Sequence, residues 1–434
     1  MEVNVRRFYD AHPAYEWERM DRHRTEFAVT LRTLTEHLPP APAHVLDCGG
    51  GPGRYALALA QQGYAVTLFD LSPTLLALAR EKAGESGVTL AGYEEGTALD
   101  LSRFPDATFD AVLLMGPLYH FFEESERRAV LAEAARVLKP GGLLFAAFIS
   151  RFAAHRDCAA RYPGKLLEDR EAYDQILDTG RFPPEVEGGW TAYFAHPDEV
   201  HPLCRSANLE VETFLAVEGL VSGHEALINT TAGETWATWV ETNTRVASEM
   251  TLTGASDHLL VVARKPRWRA VLHQVIPRLE ANGIPYRVVG GTSVALHGVP
   301  VHVKDLDLET TAAGAYQIAA LLGEYVERPV TFSESPVYRS HFGQFRIDGV
   351  LLEVMGDLER REGDGWAPSG TGTETTVLLE DVSVRVPWLE EETLAYIRRG
   401  RLDRAALCLP HCDHARLIAL LRGEVATPVL PSRK

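Results

Sequence analysis

The stretch that decides the fold is AHVLDCGGGPGRYALALAQQGYAVTLFD, which runs from Ala43 to Asp70. Its pattern predicts a short buried strand, a glycine turn, an apolar helix that ends near Gly63 and a second strand that ends in Asp70. Glycine lets a backbone approach a ligand closely, and the following helix points its free N–H groups into the turn. An acid at the end of the second strand can accept both hydroxyls of a ribose. The stretch therefore predicts a nucleoside site at the carboxyl edge of a parallel sheet.

Two nucleoside ligands fit this turn. Residues 51–56, GPGRYA, match the G-x-G-x-x-A pattern, so an NAD-dependent enzyme is an alternative. Three features favour S-adenosylmethionine. Asp47 precedes the glycines, where a carboxylate could face the charged methionine end. A further strand, helix and strand follow over 104–150, and two late strand-like runs, 209–219 and 257–265, suggest an antiparallel edge hairpin.

By these motifs, residues 1–265 resemble the class I S-adenosylmethionine-dependent methyltransferases. The runs VLDCGGGPGRY, FDAVLLMGPLYHF and RVLKPGG and the strand-ending Asp70 stand in the order of that family. The resemblance implies an α/β fold with a doubly wound, mostly parallel sheet, an antiparallel edge hairpin, an N-terminal helical cap and a lid insertion over 151–205. It implies cofactor contacts from Asp47, Gly49, Gly50, Gly51, Gly53, Asp70, Leu71, Thr97, Ala98 and Met115.

The resemblance also distributes these contacts along the cofactor. Asp47 and the glycines would line the methionine side, Asp70 would bind the ribose and Ala98 would meet the adenine. Many relatives place an acid before that alanine to hold the adenine amine, but this chain has Thr97. Asp100 is one substitute and main-chain groups are another. Met115 would begin the loop that faces the methionine and the acceptor.

Methyl transfer needs a small-molecule acceptor beside the cofactor, and Tyr119 and His120 are the catalytic candidates. His120 could take a proton, because the ordinary pKa of histidine lies near neutrality. A histidine that merely packs at the strand end is the alternative. Four aromatic residues of the predicted cap and lid are candidates for an acceptor pocket or for plain packing: Tyr9, Trp17, Trp190 and Tyr193.

The second half carries YRVVGGTSVALHGVPVHVKDLDLET over residues 286–310. On a strand, Asp305 and Asp307 point to the same face. Glu353 lies on a later predicted strand, RIDGVLLEVMGD. Carboxylates this crowded require a cation or a proton, and hard oxygen ligands suit Mg²⁺. Gly290 and Gly291 open a predicted helix, where backbone donors could hold phosphates.

The runs VVGG, DLDL and LLEV resemble the nucleotidyltransferase superfamily of the polymerase-β type over residues 268–400. The resemblance implies a second, α+β domain over 266–434 that transfers a nucleoside monophosphate from a nucleotide triphosphate. Asp305 and Asp307 would hold metal ions, and Glu353 would share a metal or activate the acceptor hydroxyl. Asp348 is an alternative third acid. A catalytically inactive domain in a regulatory or antitoxin-like binding protein is the alternative function.

Composition limits the partners of the chain. The 434 residues favour two or three domains, and the net charge is −17. Residues 1–265 carry 24 basic and 38 acidic residues, and 266–434 carry 19 and 22, so nucleic-acid binding is not expected. No apolar run approaches the ~18 residues that a membrane span needs. Five scattered cysteines and a start without an apolar signal predict a cytoplasmic protein.

Overall fold

The computed structural model describes residues 2–182, 190–370 and 372–423, and the chain divides into two compact units, Met1–Pro266 and Arg267–Lys434. The strands of the first unit are β1 (His44–Cys48), β2 (Ala65–Asp70), β3 (Gly92–Glu95), β4 (Phe109–Leu114), β5 (Leu138–Ser150), β6 (Arg181–Phe182), β7 (Ala192–Ala195), β8 (Glu210–Ala216) and β9 (His258–Arg264). Its helices are α1 (Glu2–Ala11), α2 (Pro13–Trp17), α3 (Arg19–Arg22), α4 (Arg24–His37), α5 (Arg54–Gln61), α6 (Pro73–Ser86), α7 (Glu124–Val137), α8 (Ala153–Arg161), α9 (Lys165–Glu168), α10 (Arg170–Thr179), α11 (Pro197–Ser206), α12 (Glu225–Ile228), α13 (Gly233–Val246) and α14 (Met250–Thr253). Short 3-10 turns lie at Pro117–His120 and Gly219–Val221.

The sheet of the first unit is doubly wound. Its parallel part has the order β3-β2-β1-β4-β5, and β9 and then β8 continue it antiparallel beyond β5. β7 pairs with the last residues of β5, and β6 pairs with β7. The predicted mostly parallel sheet with an antiparallel edge hairpin is therefore confirmed.

Helices cover both faces of this sheet. Val45 and Leu46 of β1 point to opposite faces, and both are fully buried. On the Val45 side the core includes residues of α4, α5 and α6, and on the Leu46 side it includes residues of α7 and α11. Ser72 caps α6 as its sequence predicts, because its Oγ accepts a hydrogen bond from Leu75 N at 3.1 Å. β2 and α6 thus fix the turn that follows Asp70.

The cap and the insertion differ in how they attach. Helix α1 buries no side chain and is held by polar contacts, among them Arg6 with Glu95 at 3.0 Å and Ser72 with Asp10 at 2.5 Å. The predicted lid insertion, 151–205, contains α8 to α11 together with β6 and β7. Its residues 183–189 lie outside the described part of the chain.

The second unit is an α+β domain. Its strands are β10 (Arg287–Val289), β11 (Leu306–Thr310), β12 (Val326–Glu334), β13 (Tyr338–Ile347), β14 (Val350–Glu362), β15 (Gly365–Pro368), β16 (Thr375–Leu379) and β17 (Val382–Val386). Its helices are α15 (Arg267–Ala281), α16 (Gly290–Leu296), α17 (Ala312–Leu321), α18 (Leu389–Arg398), α19 (Leu402–Cys408) and α20 (His414–Leu421), with 3-10 turns at Gly323–Tyr325 and Leu409–His411.

The main sheet of this unit is mixed, with the order β10-β11-β14-β13-β12 and with β15 beside β14. β11 and β14 are parallel, and the other neighbours are antiparallel. Leu306 and Leu308 of β11 are fully buried, so the alternate residues of this strand face away from the core. Within the described residues, no helix is long and apolar enough to cross a membrane.

Candidate active sites

The glycine turn after β1 is shaped by backbone angles that other residues rarely adopt. Gly49, Gly51 and Gly53 have φ values of 69°, 56° and 81°. A Cβ on Gly49 would collide with the ring of Pro117. A Cβ on Gly51 would collide with nothing, because its nearest atom, in Leu75, would be 3.7 Å away. The Gly51 backbone therefore lies open to a cavity that a side chain would begin to fill.

Asp70 is fixed at the edge of this cavity by the glycine turn and the start of α6. Its Oδ2 accepts a hydrogen bond from Gly51 N, and its Oδ1 accepts one from Ser72 N, each at 2.8 Å. Burial raises the pKa of Asp70 to about 6, although the two backbone donors oppose the shift. Each oxygen keeps one lone pair for a further donor, such as a ribose hydroxyl.

Most of the predicted cofactor residues meet at one cavity. Those that line it are Gly49, Gly50, Gly51, Asp70, Leu71, Thr97, Ala98, Met115, Tyr119 and His120. Gly53 does not line the cavity and instead caps the start of α5. Four charged residues of the N-terminal helices line the cavity as well, although no sequence motif marks them: Glu2, Arg6, Glu16 and Arg19.

Asp47 lies beneath the glycine turn rather than in the cavity. Its side chain is fully buried, and a Cβ on Gly50 would collide with it. Among the described residues, neither carboxyl oxygen has a hydrogen-bond partner. Burial, helped by the nearby Asp70, raises the pKa of Asp47 to about 7. Asp47 does not line the cavity, and its expected place facing the methionine end stays a prediction.

The predicted adenine end contains an acid from an unexpected part of the chain. The hydroxyl of Thr97 donates a hydrogen bond to the carboxylate of Glu2 on α1. Asp100, the substitute considered for the missing acid, does not line the cavity and accepts a hydrogen bond from Ser102 N at 2.9 Å. A carboxylate beside Thr97 thus comes from a helix 95 residues earlier.

The opposite end of the cavity contains a histidine with a defined tautomer. His120 Nδ1 lies 3.0 Å from the carbonyl oxygen of Thr191, so this nitrogen donates a proton. Nε2 then accepts a hydrogen bond from the Tyr9 hydroxyl at 3.0 Å. Burial lowers the pKa of His120 to about 4 and raises the pKa of Tyr119 well above its ordinary value. A neutral imidazole therefore faces the cavity.

Of the four aromatic residues considered for an acceptor pocket, Tyr9 alone lines the cavity. Trp17 lies under the guanidinium of Arg54 at 4.8 Å. Trp190 packs near Phe194, and Tyr193 is buried against Arg127. None of the described residues of the insertion, 151–182 and 190–205, lines this cavity.

In the second unit, Asp307 and Glu309 lie on the side of β11 that faces away from the core, whereas Asp305 immediately precedes the strand. The three acids of KDLDLET have different partners. Glu309 accepts hydrogen bonds from buried Arg287 on β10, at 3.1 Å from Nε. Within the described residues, Asp305 and Asp307 form no ion pair, although the charge of Arg399 acts on Asp307. Asp307 lies opposite Glu353 in the parallel register of β11 and β14. Burial, followed by the charges of Asp305 and Glu353, raises the pKa of Asp307 to about 7.

The ligand atoms of Asp305, Asp307 and Glu353 do not all lie within 4.8 Å of one another. Glu353 accepts a hydrogen bond from Gln344 Nε2 at 2.8 Å. In the described part of the chain, the one set of three acidic, histidine or cysteine side chains with ligand atoms within 4.8 Å of one another is Glu26, Glu218 and His258, in the first unit. Asp348, the alternative third acid, lies in the turn between β13 and β14, away from the register position opposite Asp307.

A second cavity borders this acid cluster. Gly290 and Asp307 line it, and Gly291, Asp305 and Glu353 do not. The N–H of Gly290, predicted to hold a phosphate, donates at 2.7 Å to Glu392 on α18, whose pKa burial raises to about 8. Three exposed arginines also line the cavity: Arg328, Arg398 and Arg399.

Comparisons with known proteins define the class of the first unit. Residues 45–142 match the family described as a methyltransferase domain. The ubiquinone biosynthesis O-methyltransferase of Xanthomonas axonopodis pv. citri is 37% identical over 142 residues, which cover 32% of this chain and 58% of that protein. The Xylella fastidiosa protein of the same description is 38% identical over 126 residues, covering 29% and 50%. The chain thus spans little more than half the length of these relatives.

The second unit matches a different family. Residues 271–407 match the aminoglycoside-2''-adenylyltransferase family. A solved structure of a proposed nucleotidyltransferase from Thermotoga maritima is 36% identical in sequence, with a TM-score of 0.31. The match covers 33% of this chain and 90% of that protein. The chain therefore joins an S-adenosylmethionine-dependent methyltransferase domain of class I to a nucleotidyltransferase-type domain.

Proposed function

We propose that the first unit transfers a methyl group from S-adenosylmethionine to an oxygen atom of a small-molecule acceptor. The observation that carries this proposal is Asp70, held by Gly51 N and Ser72 N at the edge of a cavity that the open Gly51 backbone also lines. This arrangement fits the ribose and sulfur region of the donor. Oxygen as the acceptor atom rests on the relatives named as O-methyltransferases.

When bound, S-adenosylmethionine supplies an electrophilic methyl group on a sulfonium. The chain orients the reactants and excludes water, which supplies much of the rate in such transfers. His120 Nε2 can accept a hydrogen bond and then a proton from an acceptor hydroxyl that replaces the Tyr9 hydroxyl. The Nδ1 hydrogen bond to Thr191 keeps the imidazole in the tautomer that this step needs.

The test of the first activity is a calorimetric titration of the whole chain with S-adenosylhomocysteine and, separately, with NAD. We expect binding of S-adenosylhomocysteine and no binding of NAD. Transfer of labelled methyl groups from S-adenosylmethionine to a panel of phenols and alcohols then tests the acceptor class. Binding of NAD alone would contradict the proposal.

The second unit is proposed to transfer a nucleoside monophosphate from a nucleotide triphosphate to a hydroxyl group, with release of pyrophosphate. Asp305, Asp307 and Glu353 are the residues that would hold Mg²⁺, which would neutralise phosphate charge. The fit rests on the position of Asp307 opposite Glu353 in the parallel register of β11 and β14. Burial, followed by the charges of Asp305 and Glu353, raises the pKa of Asp307, and a cation would relieve this cost. The family name makes aminoglycosides the first acceptors to test.

Pyrophosphate release from ATP, GTP, CTP and UTP, measured with Mg²⁺ and an aminoglycoside, tests this second activity. We expect release with at least one triphosphate and its loss in Asp305→Ala. Methyl transfer should be unchanged in that variant, because Asp305 belongs to the other unit. No release with any triphosphate would instead favour a regulatory or binding role for this unit.

A further inference from the structure

A pair of opposite charges in the first cavity lies outside the sequence motifs and outside the residues that match the methyltransferase family, 45–142. Glu16 on α2 and Arg19 on α3 both line the cavity. A Cβ built on Gly51 would lie 3.9 Å from Cγ of Glu16, so the glutamate side chain overlies the glycine turn. The pair therefore borders the end of the cavity where the turn begins.

Arg19 is anchored from behind by side chains that do not line the cavity. Its Nη2 donates to both carboxylate oxygens of Glu26, at 3.0 and 2.9 Å, and lies 3.2 Å from His258 Nε2. His258 Nδ1 in turn lies 2.6 Å from Glu218 Oε1. Arg19 Nη1 also donates to Sδ of Met20, at 3.8 Å. Nε and the second hydrogen of Nη1 remain for a ligand in the cavity.

Glu16 is different, because nothing anchors its carboxylate. Within the described residues, no basic side chain lies within 4.0 Å of it as an ion pair and no hydrogen bond to it is formed. Burial raises the pKa of Glu16, although Arg19 opposes the shift. A cationic ligand group beside Glu16 would compensate the cost of burying this carboxylate.

We propose that Glu16 and Arg19 bind the α-amino-acid end of S-adenosylmethionine, with the ammonium group at Glu16 and the carboxylate at Arg19. The assignment rests on the proposed methyl transfer. One acid beside one guanidinium matches the two charges of an α-amino acid, and guanidinium–carboxylate pairs are among the stronger hydrogen-bonded contacts. Asp47 cannot take the role of Glu16, because it is fully buried beneath Gly50. An amino-acid group on the methyl acceptor would have the same chemistry, so the test separates the two sources.

The test compares S-adenosylhomocysteine with 5'-methylthioadenosine, which keeps the nucleoside and the sulfur but lacks the amino-acid end. Calorimetry of Glu16→Gln and Arg19→Gln should show losses of about tenfold or more in affinity for S-adenosylhomocysteine, the scale of one charge-assisted contact. The affinity for 5'-methylthioadenosine should change by less than about twofold. Arg19→Lys should restore part of the loss, because it keeps the charge.

The matched control is the pair Glu18, between α2 and α3, and Arg22 of α3, which lie 3.7 Å apart and do not line the cavity. Glu18→Gln and Arg22→Gln should leave both affinities unchanged. Glu16→Gln also guards against a folding defect in Arg19→Gln, since the Glu16 side chain forms no hydrogen bond with the described residues and the change keeps its backbone contacts.

Three results would overturn the assignment. Unchanged affinity for S-adenosylhomocysteine in both variants, with a raised KM for the acceptor, would mean that Glu16 and Arg19 bind the methyl acceptor instead. Equal losses of affinity for S-adenosylhomocysteine and 5'-methylthioadenosine would mean that the pair only maintains the shape of the cavity. Failure of the unaltered protein to bind either nucleoside would reject the proposed methyl transfer itself, and this assignment with it.

Discussion

Tyr9 Oη lies 3.0 Å from His120 Nε2, and this hydrogen bond joins the first helix of the chain to the turn after β4. Other side chains of α1 contact other residues of the same cavity. Glu2 accepts a hydrogen bond from Thr97, and Asp10 accepts one from Ser72. Since α1 buries no side chain, its position depends on these polar contacts. The helix therefore covers the site without belonging to the core.

The burial of His120 predicts a pH-dependent contribution to stability. Its pKa is about 4 in the folded chain and near 6.5 when unfolded, so folding keeps it neutral while unfolding lets it take a proton. This contribution is present above pH 6.5 and is lost as the pH falls towards 4. The difference in unfolding free energy between the natural chain and His120→Asn should shrink by about 2 kcal/mol from pH 7 to pH 5. Urea unfolding at both pH values measures it, and a constant difference would contradict the burial of a neutral imidazole.

Asp70→Asn should weaken S-adenosylhomocysteine binding by about 10- to 100-fold, because an amide has one acceptor oxygen where the carboxylate serves Gly51, Ser72 and the ligand. Affinity in the natural chain should fall below about pH 6, where Asp70, with its raised pKa, takes a proton. Calorimetry between pH 5 and pH 8 measures both effects. Asp100→Asn, outside the cavity, is the control, and equal losses in the two variants would argue against a ribose role for Asp70.

Cation binding to the second unit should strengthen as the pH rises from 6 to 8. The pKa of Asp307 is raised to about 7, so a proton must leave before the carboxylate can bind a metal ion. Mn²⁺ binding, followed by electron paramagnetic resonance, measures the trend and should be lost in Asp307→Asn. Asp364→Asn, an exposed substitution, should leave it intact. A pH-independent affinity would place the cation elsewhere.

Arg287→Met should destabilise the second unit by about 3–5 kcal/mol, because it leaves buried carboxylates without their cation. The guanidinium contacts Glu309, Glu391 at 3.4 Å and the carbonyl of Thr373 at 2.9 Å. Arg385→Met removes an exposed ion pair with Glu280 and should cost no more than about 1 kcal/mol.

Chemical denaturation of the two arginine variants gives these free energies directly. Equal costs for Arg287→Met and Arg385→Met would mean that the buried pair contributes no more than a surface pair. A loss of pyrophosphate release without loss of stability in Arg287→Met would indicate a role at the second cavity instead.

Local sequence was enough to predict the cofactor turn, because its elements are neighbours in the chain. A strand of five residues, glycines with positive φ and the acid that ends the next strand lie within Ala43–Asp70. The same holds for β11, where alternation alone places Asp307 and Glu309 on one face, although the strand begins one residue after Asp305. Sequence could not show that Asp47 is buried beneath Gly50 while Asp70 lines the cavity, because packing decides this difference.

The sequence by itself determined the sheet of the first unit, the glycine turn and the acid-bearing strand of the second unit, because strand period, glycine and capping act over a few residues. Only the tertiary structure decided which charges meet at each cavity. Glu2, Glu16 and Arg19 reach the first cavity from separate helices, and Glu392 reaches Gly290 across 102 residues. Contacts across such separations depend on how helices pack against the sheet, and no local pattern records that packing.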